Sequence, residues 1–278
     1  MACISYYIHL DAAQHEFEIA YLNELGIDSF IEHEDALEAF LETEDTNISA
    51  KIESYLKEKQ RSFEKRSHQL RDWNKEWESN FDAFSIAKKL LVRAPFHPVD
   101  STFKESLLIS PKMAFGTGHH ETTSMILEWM LDQNFENKKI LDFGCGTGIL
   151  GIFAAKRKAS LVNFIDNDPL SIENTIENIQ LNELVPMQCI LGSTAQIPNE
   201  QYDVILANIT RNILSESMEL LVSHLFERGI IVISGFLETD LEFMLACLHK
   251  FHLKVLNRYQ KKDWLCLIAQ KQGLPETT

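Results

Sequence analysis

From residue 119 onward, apolar runs alternate with stretches of helical period. Strands are expected at about 138–143 (KKILDF), 161–166 (LVNFID), 187–191 (MQCIL), 202–207 (YDVILA) and 229–234 (GIIVIS), with helices between most of them. That alternation is the signature of a parallel sheet covered on both faces. The end of the chain breaks the pattern. FHLKVLNRYQ and DWLCLIAQK flank Lys261-Lys262 with no room for a crossover helix, so they are expected to pair as an antiparallel hairpin. A doubly wound α/β sheet closed by such a hairpin departs from the usual dinucleotide-binding layout.

The first part of the chain follows another rhythm. CISYYIHL (3–10) reads as a strand rich in β-branched and aromatic residues, and DAAQHEFEIAYLNELG as a helix. In that helix Asp11 is placed to cap, Phe17, Ala20, Tyr21 and Leu25 fall on one face, and Gly26 is placed to end it. DSFIEHEDALEAFLE resembles two short strands about a turn, and residues 48–62 an amphipathic helix. The β-α-β-β-α order predicts a small α+β domain, ferredoxin-like if a last strand pairs. Residues 63–85 are heavily charged, and Trp73 and Trp77 lie four apart on a predicted linker helix, an aromatic stripe suited to anchoring. KKLLVRAPF and SLLISP then supply two more strands. The expected division is a small α+β domain over 1–62, a helical linker over 63–88 and the larger domain over 89–278.

Composition narrows the class. The 278 residues are 45% hydrophobic and 24% charged, ordinary for a folded globular protein. The start lacks a basic segment followed by an apolar one, and no uncharged apolar run approaches a membrane span, so neither signal peptide nor membrane is expected. The five cysteines are scattered without a C-x-x-C pair, which argues against a disulfide framework or a zinc site and points to the cytoplasm. The net charge is −15, and residues 16–58 hold 13 acids against two lysines. Such a surface repels phosphate backbones and attracts a basic protein, or serves solubility alone.

The chemistry is concentrated in ILDFGCGTGILG, residues 140–151, which contains G-x-G-x-x-G at Gly146, Gly148 and Gly151. Glycines after a buried strand permit positive φ and let a ligand lie on the backbone, needs shared by every nucleotide-like cofactor. Asp142 discriminates. A pyrophosphate would not favour a carboxylate at this strand end, whereas S-adenosylmethionine, with its ammonium and sulfonium, would. Asp166, ending the next predicted strand, suits the two ribose hydroxyls of either cofactor. Asn167-Asp168-Pro169 reads as a helix start with Asp168 as cap. Asn208 ends YDVILAN beside the open face of the loop, where its carboxamide oxygen could orient an amine; alternatively it caps a helix beginning at Ile209.

Together MAFGTGHHETT, ILDFGCGTGILG, FIDNDP and DVILANI resemble the ribosomal protein L11 methyltransferases, the PrmA family, over about residues 73–270. The resemblance fades in the first seventy residues, though it assigns substrate recognition to the small α+β domain over 1–62. It implies a Rossmann-like class I methyltransferase fold and S-adenosylmethionine-dependent methylation of lysine and N-terminal amines on a basic ribosomal protein of the large subunit. It further implies that Thr123 closes over the methionine moiety, Gly144 lies under the cofactor, Asp166 takes the ribose and Asn208 borders the transferred methyl. Phe115, Gly116, Thr117 and Gly118 resemble the loop shaping the pocket; with Asp142 and Gly146 these complete the expected site. The expected protein is a monomer, acting without nucleic acid, membrane or metal. The chain departs from the family pattern at His119 and Glu121, where threonine and proline are usual, which leaves the behaviour of that loop open. Two rivals remain: a nucleic-acid or small-molecule amine methyltransferase, disfavoured because Asn208-Ile209-Thr210-Arg211 lacks a stacking aromatic, and an NAD-dependent oxidoreductase, disfavoured by Asp142 and the hairpin.

Overall fold

The computed structural model describes all residues except 1–2, 12–13, 26, 28, 34, 42–45, 69–81, 111–115, 117 and 274–278. The chain forms two compact units, Met1–Glu76 and Trp77–Thr278.

In the smaller unit β1 (Cys3–His9), α1 (His15–Glu24), β2 (Ser29–Glu32), β3 (Ala36–Leu41), α2 (Thr46–Glu58) and β4 (Ser62–His68) follow in order. The sheet runs β2-β3-β1-β4 with every pair antiparallel, the ferredoxin-like arrangement. Its core joins Tyr6, Ile8, Leu37 and Ala39 of the sheet to Leu22 of α1 and Ile52 and Leu56 of α2. β4 begins the stretch that the sequence reading assigned to the linker. Its main chain instead pairs with the second edge of β1, from Ser62 opposite His9 to His68 opposite Cys3. Without it, the central strand would present unpaired backbone groups.

α1 also differs from its expected form. Gln14 occupies the cap position with no side-chain cap, and Asp11 offers only its carbonyl, to the Gln14 N–H at 2.8 Å. Its buried side chains are His15, Glu18 and Leu22, while Tyr21 is 39% exposed and stacks on Tyr55. Periodicity alone does not anticipate a buried carboxylate; Arg61, 3.0 Å from Glu18, compensates its charge. The side chains of Phe17 and Ala20, Gly26, and the Trp73/Trp77 helix lie outside the described residues.

The larger unit begins with a small sheet of β5 (Phe84–Ile86), β6 (Leu90–Arg93) and β7 (Glu105–Leu108). Then come α3 (Glu121–Leu131), β8 (Lys139–Phe143), α4 (Ile149–Lys156), β9 (Leu161–Asp166), α5 (Pro169–Leu181), β10 (Gln188–Leu191) and β11 (Tyr202–Asn208). α6 (Arg211–Ser223), β12 (Leu225–Leu237), α7 (Leu241–Lys250), β13 (Leu253–Lys261) and β14 (Trp264–Lys271) complete it. The seven strands lie in the order β10-β9-β8-β11-β12-β14-β13. The first five pair in parallel, and β14 enters antiparallel between β12 and β13, as the absent crossover predicts.

Alternation along β8 divides the core. Leu141 and Phe143 join Leu214 and Met218 of α6 and Met244 of α7, whereas Ile140 joins Met125 of α3 and Ile152 of α4. Each such side chain contributes about 2 kcal/mol on burial. Asp142 shares the parity of Ile140 and is therefore directed into the layer holding α3 and α4.

Candidate active site

β8 lies between β9 and β11, and β9 leads to one edge of the sheet while β11 leads to the other. The order in which successive parallel strands are added thus reverses at β8, and a crevice forms at the carboxyl ends of these strands. Three of the expected residues stand there: Gly144 just after β8, Asp166 at the end of β9 and Asn208 at the end of β11. Thr123 enters from the first turn of α3.

The glycine turn is built on its neighbours. The Gly144 and Cys145 N–H groups both donate to the Ile165 carbonyl, at 2.8 and 3.0 Å. Gly144 has φ +70°, and a Cβ there would run into Ile209. Gly146 donates its N–H to Asp166 Oδ2 at 2.9 Å, and the other Asp166 oxygen accepts the Asp168 N–H at 3.0 Å. Each carboxylate oxygen retains a further acceptor site for a diol. Asp168 is the expected cap of α5, accepting from the Leu170 and Ser171 N–H groups, with Pro169 in the first turn.

Asn208 does not cap a helix at Ile209, because α6 starts at Arg211 with Thr210 in the cap position. Instead its Nδ2 donates to Thr123 Oγ1 at 3.0 Å. Thr123 is 1% exposed, so this bond fixes the carboxamide. Asn208 Oδ1 is then left buried with no hydrogen-bond partner among the described residues. A buried unsatisfied carbonyl costs about 1–3 kcal/mol, a penalty that an arriving N–H donor relieves.

Asp142 is placed differently from its neighbours. It is 1% exposed, and its Oδ2 accepts the Gly151 N–H of α4 at 2.8 Å. Burial pushes its carboxyl up to about 7, with the nearby Asp166 adding to the rise and the Gly151 N–H opposing it. Its side chain thus ties the strand to the helix beneath the turn. Sequence reasoning saw the charge and missed this structural bond.

The loop ahead of α3 shows how His119 and Glu121 are accommodated. Glu121, first residue of α3, forms an ion pair with Lys262 in the turn of the hairpin. Lys261 binds Glu128 and Ser124 of the same helix at 2.6 and 2.7 Å. His120 caps α3 toward Thr122, and its ring meets Trp264 edge-on with centroids 4.8 Å apart. His119 packs on Phe84 at 3.9 Å, where burial holds its imidazole below the ordinary range. Hairpin contacts therefore anchor the helix start where the family proline is missing. Phe115 and Thr117 lie outside the described residues, while Gly116 and Gly118 both have φ +98°.

A glycine turn at the centre of a doubly wound sheet, an acid ending the neighbouring strand and a terminal antiparallel hairpin define a class I S-adenosylmethionine-dependent methyltransferase. The residues present fit that cofactor: Asp166 has acceptor capacity for a diol, Gly144 leaves the backbone bare, and the acids suit a cation. A profile of the family described as "Ribosomal protein L11 methyltransferase (PrmA)" matches residues 3–272. The ribosomal protein L11 methyltransferase of Porphyromonas gingivalis is 37% identical over 255 residues, 89% of this chain and 88% of the relative. That of Chlorobaculum tepidum is 30% identical over 278 residues, 95% of each. The crystal structure of a ribosomal protein L11 methylase from Lactobacillus delbrueckii subsp. bulgaricus shares the fold, with a TM-score of 0.64 at 24% identity over 69% of this chain and 100% of that one. This chain belongs to the ribosomal protein L11 methyltransferase (PrmA) family. The match also takes in the first seventy residues, where the motifs had faded. Among the described residues, no helix is long and apolar enough to cross a membrane.

Proposed function

We propose that this chain methylates lysine side chains and the N-terminal amine of ribosomal protein L11, acting as a cytoplasmic monomer. The observation that carries the reading is the buried Asn208 Oδ1 at the end of β11, which has no hydrogen-bond partner among the described residues. It is an acceptor awaiting an N–H donor, where an amine has to be aligned.

Gly144, Gly146, Asp166, Thr123 and Asn208 would hold S-adenosylmethionine, with Asp142 beneath the turn and Phe115 and Thr117 from the preceding loop. When bound, the cofactor supplies a methyl group on a sulfonium whose positive charge is neutralised as the C–N bond forms. The chain's own task is to present a neutral, aligned amine. With an ordinary lysine pKa, about one side chain in two thousand is neutral at pH 7, and desolvation raises that fraction. Asn208 Oδ1 accepts an N–H of the amine and directs its lone pair, while Thr123 keeps the carboxamide from rotating. Positioning of this kind lowers a barrier without a dedicated base.

Recognition is assigned to the small N-terminal unit. The 13 acids and two lysines of residues 16–58 favour a basic partner, and the net charge of −15 disfavours nucleic acid. The test is the intact mass of ribosomal protein L11 after incubation with the chain and cofactor. Mass steps of one methylene each are expected; an unshifted mass overturns the substrate. For the site, Asn208→Ala is expected to lower turnover about a hundredfold. Full turnover with weakened cofactor binding would remove the orienting role.

A further inference from the structure

We propose that Thr147 is a positioning residue for cofactor binding, tying Gly116 directly and Ser110 through Asn178 to the glycine turn. Thr147 stands between Gly146 and Gly148 and is 0% exposed. Its Oγ1 donates to the Gly116 carbonyl at 2.6 Å. Its own carbonyl accepts Asn178 Nδ2 at 2.8 Å, and Asn178 Oδ1 accepts the Ser110 N–H at 2.7 Å. One buried residue thus holds Gly116 directly and Ser110 through a carboxamide.

The residue types follow from an unpaired edge. Among the described residues β7 pairs only with β6, so the backbone groups on its other side, and those just beyond its end, need partners. Asn182 exchanges two bonds with Leu108, from its N–H at 3.1 Å and to its carbonyl at 2.7 Å. Asn178 takes the Ser110 N–H, and Asn174 donates to the Ser110 carbonyl at 3.4 Å. Alternate residues of an extended chain repeat every ~6.6 Å, and residues four apart on a helix every ~6 Å. Asn174, Asn178 and Asn182 therefore stand in for a missing strand. Asn178 is 0% exposed, and both ends of its carboxamide are bonded, which restricts rotation. Its Nδ2 bonds both Asn174 Oδ1, at 3.3 Å, and the Thr147 carbonyl, so the order of the ladder is transmitted to the turn.

The inference rests on S-adenosylmethionine binding in this crevice, and its deciding readout, the cofactor Kd, needs no protein substrate, so it stands or falls separately from the L11 reading. The experiment is calorimetric titration of S-adenosylmethionine into the full chain, Thr147→Val and Thr147→Ser, with thermal melting of each and steady-state KM and kcat. Thr147→Val keeps shape and removes the donor; the cofactor Kd and KM are expected to rise about tenfold, with a smaller fall in kcat. Thr147→Ser restores the hydroxyl and is expected within about threefold of the natural chain. Should Thr147→Val fail to fold, Thr147→Cys, a weak donor of similar size, carries the same comparison. Unchanged cofactor affinity in Thr147→Val, or in Thr147→Cys where that variant replaces it, overturns the proposal. So does an equal loss in Thr147→Ser, or a lowered melting temperature with Kd retained, which would make the bond merely structural.

Discussion

Replacing Asp142 by asparagine keeps an acceptor for the Gly151 N–H and deletes a titrating group. Burial raises this carboxyl from 3.8 to about 7. A raised acid binds its proton more tightly in the folded state, so folding stability falls as pH climbs between those two values and is level above them. Three units at about 1.4 kcal/mol each give an upper limit of about 4 kcal/mol. The Asp142→Asn chain is therefore expected to equal the natural one near pH 4 and to gain on it up to pH 7. Above pH 7 the difference is constant. Urea unfolding of both chains at pH 5, 6, 7 and 8, followed in the larger unit, measures the gap. The cofactor adds a second readout. A cationic ligand favours the ionised carboxylate, so from pH 6 to 8 the natural chain should gain up to about tenfold in S-adenosylmethionine affinity relative to the variant. Parallel unfolding curves would refute the burial argument. Parallel cofactor affinities would refute the charge argument that favoured a sulfonium over a pyrophosphate.

Gly144→Ala places a methyl against Ile209 at φ +70°, so calorimetry should show cofactor binding abolished, with about 1–3 kcal/mol lost in thermal unfolding. Thr123→Val removes the acceptor that fixes the Asn208 carboxamide, and turnover is expected to fall about tenfold in a methylation assay. Glu121→Pro restores the proline usual in the family at the first position of α3. Loss of the solvent-screened pair with Lys262 and gain in backbone restriction are small and opposite, so melting should shift by only a few degrees. Deleting residues 1–76 removes a unit with its own core; cofactor binding should survive in calorimetry while methylation of ribosomal protein L11 disappears.

The strands from β8 to β12 and the hairpin were legible because their signal is local. Apolar runs of strand length separated by helical stretches need a two-sided sheet, and Lys262-Asp263 between β13 and β14 leave space only for a turn. The glycine turn, Asp166 and the Asp168 cap were legible for the same reason, since backbone conformation there demands particular residues. β4 was not legible: SFEKRSH is polar and resembles linker, and only the open edge of β1 makes it a strand. The burial of Glu18 in α1 was not legible because the Arg61 that compensates it lies 43 residues away.

At the site the division is sharper. Asn174, Asn178 and Asn182 recur every four residues in IENTIENIQLN, a signal of buried polar groups visible in the sequence, yet their partners Leu108 and Ser110 lie more than sixty residues earlier. Asn208 and Thr123 are 85 apart, and their bond decides which end of the carboxamide faces an amine. Sequence determined which groups could bind a cationic nucleotide-like cofactor, because local backbone and charge select those residue types. Tertiary structure alone decided which atoms are already bonded and which are left free. Asp142 went under the turn and Asn208 Oδ1 met no partner among the described residues because hydrogen bonding is settled by atoms that meet in space.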